Sequence, residues 1–195
     1  MQATVVFAET DAPALEREAL STAVATLERA GHEVTVVDLW AERFDPVMTA
    51  TQRRAYLTDH PVVSDDVAGY VEIIQRTELL VFVYATQLNT MPALMKGWLE
   101  KVMVPGVAFQ FNTEGKLRPA LTQVRHIIGI STYPEAWSTM RRQRDAGRRT
   151  ITRALRLNTG WRTRHHWIGL YSCPTATREQ RGAFLSRIEH RLEQV

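Results

Sequence analysis

The 195-residue sequence holds a single cysteine, Cys173, so no internal disulfide can form. Stability must then come from a buried core, and a reducing cytoplasm is the expected location. Long apolar runs are missing too. None approaches the ~20 residues of a membrane span, so no membrane insertion is expected. The opening MQATVVFAET has no basic stretch ahead of an apolar one and does not read as a signal peptide. Lysine is scarce: only three of the 24 Lys and Arg residues are lysines (Lys96, Lys101, Lys116), and the net charge is only +3. That balance gives no argument for a nucleic-acid partner. The first loop, AETDAPA, contains no glycine, which excludes the GxGxxG dinucleotide turn.

What is present is an alternation of strand and helix patterns. ATVVFA (3–8), EVTVVDL (33–39), ELLVFVY (78–84), RHIIGIST (125–132) and RHHWIGLYS (164–172) read as five strands. The third is apolar on both faces, as in a central parallel strand covered on both sides. Between the first two strands, Leu20, Ala23, Val24, Leu27 and Ala30 recur at helical spacing, and Gly31 marks the stop. Ser64 or Asp65 can cap a second helix that ends near Arg76. A third helix runs from Pro92 to about Val102, a long arginine-rich helical segment reaches about Leu155, and an amphipathic helix closes the chain at 175–195. One domain over 1–195 is expected. The class is α/β, a doubly wound five-stranded parallel sheet in the order 2-1-3-4-5 with helices on both faces. Ligands of such sheets sit beyond the carboxyl ends of the strands, at the switch point between the first and third. Here that position is built by 9–16, 85–92 and 131–138.

The helix after the third strand carries a motif. MPALMKGWLEKVMVPGVAF, with Met91, Pro92, Ala93, Lys96, Gly97 and Trp98 and then Gly106, Ala108 and Phe109, resembles the flavodoxin-like NAD(P)H:quinone oxidoreductases of the diaphorase type. DLWAERFDPVMT (38–49) and GISTY (129–133) are similar to further segments of that family, so the resemblance covers almost the whole chain. It implies a flavodoxin-like fold, FMN or FAD held at the three strand-end loops, and NAD(P)H as hydride donor. A quinone-like or aromatic small molecule would be the acceptor, and a homodimer the assembly. By this resemblance the cofactor contacts fall on Thr10, on Thr86, Gln87, Leu88, Asn89 and Thr90, and on Ser131, Thr132, Tyr133 and Trp137.

The same loops depart from the family pattern. Where it has Ser and Asn near the flavin phosphate, this chain has Ala14, Leu15 and Glu16. Four carboxylates (Glu9, Asp11, Glu16, Glu18) crowd the region. At ~4 Å and an effective dielectric of about 20, each like-charge pair costs about 4 kcal/mol. Small and polar residues, Ala85 to Thr90, stand where the family has aromatics, and Pro134 removes an amide donor. Two alternatives therefore stand beside the flavin enzyme. One is a scaffold without flavin doing redox-neutral acid/base chemistry through Glu9 and Asp11; the other is a non-catalytic regulatory dimer.

Other residues carry two readings each. Tyr133 can orient a substrate carbonyl or pack as a turn tyrosine. Glu9 and Asp11 can act as an acid/base pair, or Thr10 or Asp11 can cap the first helix. Trp98 belongs to a core or to a dimer surface. The run MRRQRDAGRRTITRALR (140–156) can hold a 2′-phosphate or an acidic substrate, or form a solvated face. His165 and His166 point to opposite faces of their strand, so no metal site is expected there.

Overall fold

In the computed structural model, which describes residues 1–10, 14–56, 58 and 63–195, the elements follow in this order. The first half contains β1 (Gln2–Phe7), α1 (Ala14–Arg29), β2 (Glu33–Asp38), α2 (Ala50–Ala55), α3 (Asp65–Arg76), β3 (Leu79–Ala85) and α4 (Ala93–Val102). The second contains β4 (Phe109–Phe111), β5 (Leu117–Pro119), β6 (His126–Thr132), α5 (Trp137–Arg142), α6 (Ala146–Arg149), a π-helical turn (Thr150–Ala154), α7 (Arg156–Thr159), β7 (Arg164–Leu170) and α8 (Arg178–Leu192). The main sheet is parallel, in the order β2-β1-β3-β6-β7. That is the expected 2-1-3-4-5 order.

The two-residue period of β3 divides the core. Leu80, Phe82 and Tyr84 face α3 and α4, whereas Leu79, Val81 and Val83 face α1 and α8, and all are buried. Trp98 on α4 is fully buried against the edge of Phe82, with ring centroids 6.3 Å apart, so it is a core residue. Burial of a large apolar side chain contributes about 1.5–3 kcal/mol. Next to it, Gly97 is fixed by a close approach: a Cβ there would lie 2.4 Å from Pro46. Lys101, also buried, donates to Asp45 O (2.9 Å) and to Asp66 (2.7 Å), which ties the 44–47 segment and α3 to the same helix.

Two sequence expectations change. The β4–β5 hairpin (Phe109–Pro119) interrupts what reads as connection, its turn made by Asn112, which accepts from Glu114 N and Lys116 N, and by Gly115 at φ +72°. The arginine-rich segment is not one helix. It breaks after α5, where Arg144 and Asp145 take positive φ, and resumes as α6, the π-helical turn and α7.

Candidate active site at the strand ends

A cleft of about 390 Å³ opens at the carboxyl ends of β3 and β6, lined by Leu15, Glu16, Ala85, Thr86, Thr132 and Arg181, with Tyr133, Pro134, Cys173 and Pro174. Glu16 enters it from the first turn of α1, where a helix N-terminus favours negative charge. Its carboxylate accepts the Thr132 hydroxyl hydrogen. Burial pushes this carboxyl above its ordinary value and nearby Glu9 adds to the effect, against the Thr132 bond and Arg181. Glu16 therefore holds its proton to higher pH than a surface carboxylate does.

Beneath the cleft, Ser131 donates to Thr132 O (3.2 Å) and is left to accept from Thr86 (2.8 Å). This pair of buried hydroxyls fixes β3 to β6. Cys173 keeps its proton at neutral pH because burial, with Glu16 beside it, raises the thiol.

The loop after β3 folds as a tight turn. Gln87 and Thr90 exchange backbone hydrogen bonds of 2.9 Å, and the two tip residues, Leu88 and Asn89, both have positive φ. Leu88 is 100% exposed. Asn89 reaches away from the cleft: Nδ2 donates to Gln143 O, and its own carbonyl accepts from Ala146 N, both at 3.1 Å. Thr86 lines the cleft, whereas Gln87, Asn89 and Thr90 are engaged in the turn and its clamp.

The remaining expected residues separate. Ser131 and Thr132 lie in or under the cleft. Thr10 donates its amide to Glu9 at 2.9 Å, so the Glu9 carboxylate serves the turn after β1. Asp11, its expected acid/base partner, lies outside the described residues. Tyr133 is fully buried and donates its hydroxyl hydrogen to Asp145 (2.6 Å). Burial and then that bond raise its pKa far beyond the usual phenol value. In this structure its hydroxyl is directed to Asp145 in the interior rather than into the cleft. Trp137 lies in a neighbouring cleft with five arginines. Arg181 and Asp145 had no local motif, and the docking of α8 and of the 137–153 segment brings them to the strand ends. Burial and Arg156 push His165 down to about 4. No cluster of three or more His, Cys, Asp or Glu suited to a metal occurs among the described residues.

The cleft fits a flavin nucleotide. Leu15, Ala85 and Pro134 offer apolar walls to a flat ring, Arg181 a cation, and the start of α1 a favourable end for phosphate. The amides of Thr86, Gln87, Thr90 and Tyr133 are already bonded within the protein. Those of Leu88 and Asn89, at the turn tip, donate to nothing among the described residues.

A family model described as a flavodoxin-like fold matches residues 1–157. The guinea-pig (Cavia porcellus) NAD(P)H dehydrogenase [quinone] 1 is 27% identical over 125 residues, 56% of this chain and 46% of that protein. The chain spans about half the length of the curated relatives it matches. Among solved structures, an NAD(P)H:quinone oxidoreductase from Methanothermobacter marburgensis superposes with a TM-score of 0.83 at 20% identity, covering 99% of this chain and 98% of that one. An FMN-dependent NADH-azoreductase from Bacillus anthracis, in complex with FMN, gives 0.77 at 11% identity, covering 100% and 99%. At these identities the two structures show a shared fold.

Proposed function

The chain belongs to the flavodoxin-2 family, and from that premise we propose that it is a flavin-dependent oxidoreductase, passing electrons from NAD(P)H to a quinone-like or aromatic small molecule. The observation that carries this reading is the strand-end cleft formed by Glu16, Thr86, Thr132 and Arg181. The relatives' quinone and azo chemistry supports it. A bound FMN or FAD would supply two-electron hydride chemistry.

The chain's own residues would hold and orient that cofactor. Arg181 would bind the phosphate as a charge-assisted donor. Glu16, fixed by Thr132, would stand beside the phosphate, and its raised carboxyl would repel a phosphate over a narrower pH range than a surface carboxylate does. The Thr86–Ser131 pair keeps the floor of the cleft rigid, and the Leu88–Asn89 tip would have two amides free to donate to the cofactor. The exposed Leu88 side chain excludes water once it is covered, and a second copy of the chain in a homodimer is the covering surface in this reading. No helix of the described residues is long and apolar enough to cross a membrane. A cytoplasmic location suits the lone, half-buried thiol of Cys173.

Titration of the purified protein with FMN and with FAD, followed by flavin fluorescence, tests the proposal. Saturable quenching at one flavin per chain, with quinone-dependent NAD(P)H oxidation, is the expected result. Flavin fluorescence that ignores the protein in both titrations contradicts it.

A further inference from the structure

A second concave site, of about 570 Å³, lies beside the strand-end cleft. Arg141, Arg144, Arg148, Arg149 and Arg153 line it, and all five are exposed. None of them has an acidic partner within ion-pair distance among the described residues. The one acidic lining residue, Asp145, is buried, and its two oxygens are taken by the Tyr133 hydroxyl (2.6 Å) and the Arg148 amide (2.9 Å). Trp137 and Tyr171 form the aromatic flank, with Arg141 over the Trp137 ring at 5.1 Å. Tyr171 stacks on Tyr133 at 4.4 Å, so one tyrosine pair separates this cleft from the strand-end cleft.

The arginines are presented by a held backbone. Arg144 has φ +64°, a strained value for a non-glycine residue. Asn89 clamps the break through Gln143 and Ala146. Gly147 passes so close to Tyr84 Oη and Met91 N that a Cβ would lie 2.8 and 2.9 Å from them. A solvated face needs neither strain nor clamp. Five unpaired guanidiniums around one hollow repel one another until an anion is bound.

We propose that this cleft binds a phosphorylated aromatic small molecule of nucleotide size, its phosphate oxygens taken by the arginine forks and its ring by Trp137 and Tyr171. The volume falls within the roughly 300–1,000 Å³ of small-ligand sites. Arg148, Thr152 and Arg153 also face a second hollow containing Trp161, which leaves room for an elongated ligand. The phosphate can come from the 2′-phosphorylated half of a dinucleotide or from an unrelated aryl phosphate. No part of the inference requires flavin.

The test uses the full chain without added flavin. Adenosine 2′,5′-bisphosphate, p-nitrophenyl phosphate and uncharged adenosine are titrated by calorimetry, with tryptophan fluorescence as a second readout. At least one phosphate should bind saturably and adenosine should not. Arg148→Glu with Arg149→Glu should weaken that binding by at least about tenfold. Arg153→Gln, milder and at an exposed position, should weaken it severalfold at an unchanged melting temperature, so loss of fold cannot imitate the result. Preference for the bisphosphate assigns a dinucleotide, and preference for the aryl phosphate assigns a phosphorylated substrate. Absence of saturable binding by either phosphate overturns the proposal, as does affinity indifferent to the arginine variants. Tighter competition by short duplex DNA or by anionic vesicles also overturns it, in favour of an extended polyanion surface.

Discussion

Tyr133 donates its hydroxyl hydrogen to Asp145 across 2.6 Å, joining the end of β6 to the break that begins the arginine cleft. Tyr133→Phe leaves a buried carboxylate short of one donor. Stability should fall by about 1.5–3 kcal/mol, since the bond involves a charged group. Asp145→Ala should cost more, because the α6 cap on Arg148 is lost with it. Urea denaturation of the two variants measures both, and the order Asp145→Ala worse than Tyr133→Phe is the expected result.

Glu16 gives a pH signature. Its ordinary value is 4.5, and burial raises it in the folded chain. Between those two values the folded protein holds a proton that the unfolded chain has released. Stability therefore falls as pH rises through that window, and the loss is absent below it. Glu16→Gln should remove the fall. The ratio of wild-type to Glu16→Gln FMN dissociation constants should also rise across the same window, and taking the ratio cancels the titration of the phosphate itself.

Leu88 occupies a positive-φ turn position with its side chain wholly exposed. Leu88→Gly should raise the melting temperature of the isolated chain, with a gain of up to about 1 kcal/mol from relief of that strain. If Leu88 also covers bound flavin, the same variant should weaken flavin binding while it stabilises the fold.

Gly97→Ala and Gly129→Ala should both destabilise. The added Cβ would lie 2.4 Å from Pro46 in the first and 2.2 Å from the Trp167 ring in the second. Overpacking of this kind costs about 1–3 kcal/mol, occasionally more. Thermal denaturation of the two variants checks it, and an unchanged melting temperature in either would refute the close packing described.

The sheet was legible because its signals are local. β3 is apolar at every position, and Gly31, at φ +80°, ends α1 where the pattern stops. The Lys-Gly-Trp helix was legible for the same reason, and packing explains it: Gly97 admits Pro46, and Trp98 fills the core. The break in the arginine-rich segment was not legible. It rests on Tyr133–Asp145 and on the Asn89 clamp, contacts between residues 12 and 54 positions apart. Asn89 shows the difficulty at one residue. Its place after β3 marks it for a ligand, yet its side chain holds the arginine-bearing segment in place. Arg181 could not be assigned to the cleft at all, because nothing in α8 announces which strand ends the helix reaches.

The most direct test of the central claim is anaerobic spectroscopy of the chain loaded with stoichiometric flavin. Addition of NAD(P)H should bleach the visible flavin absorbance, and a quinone added afterwards should restore it. Flavin that stays bound but is not bleached by either NADH or NADPH would contradict the oxidoreductase reading.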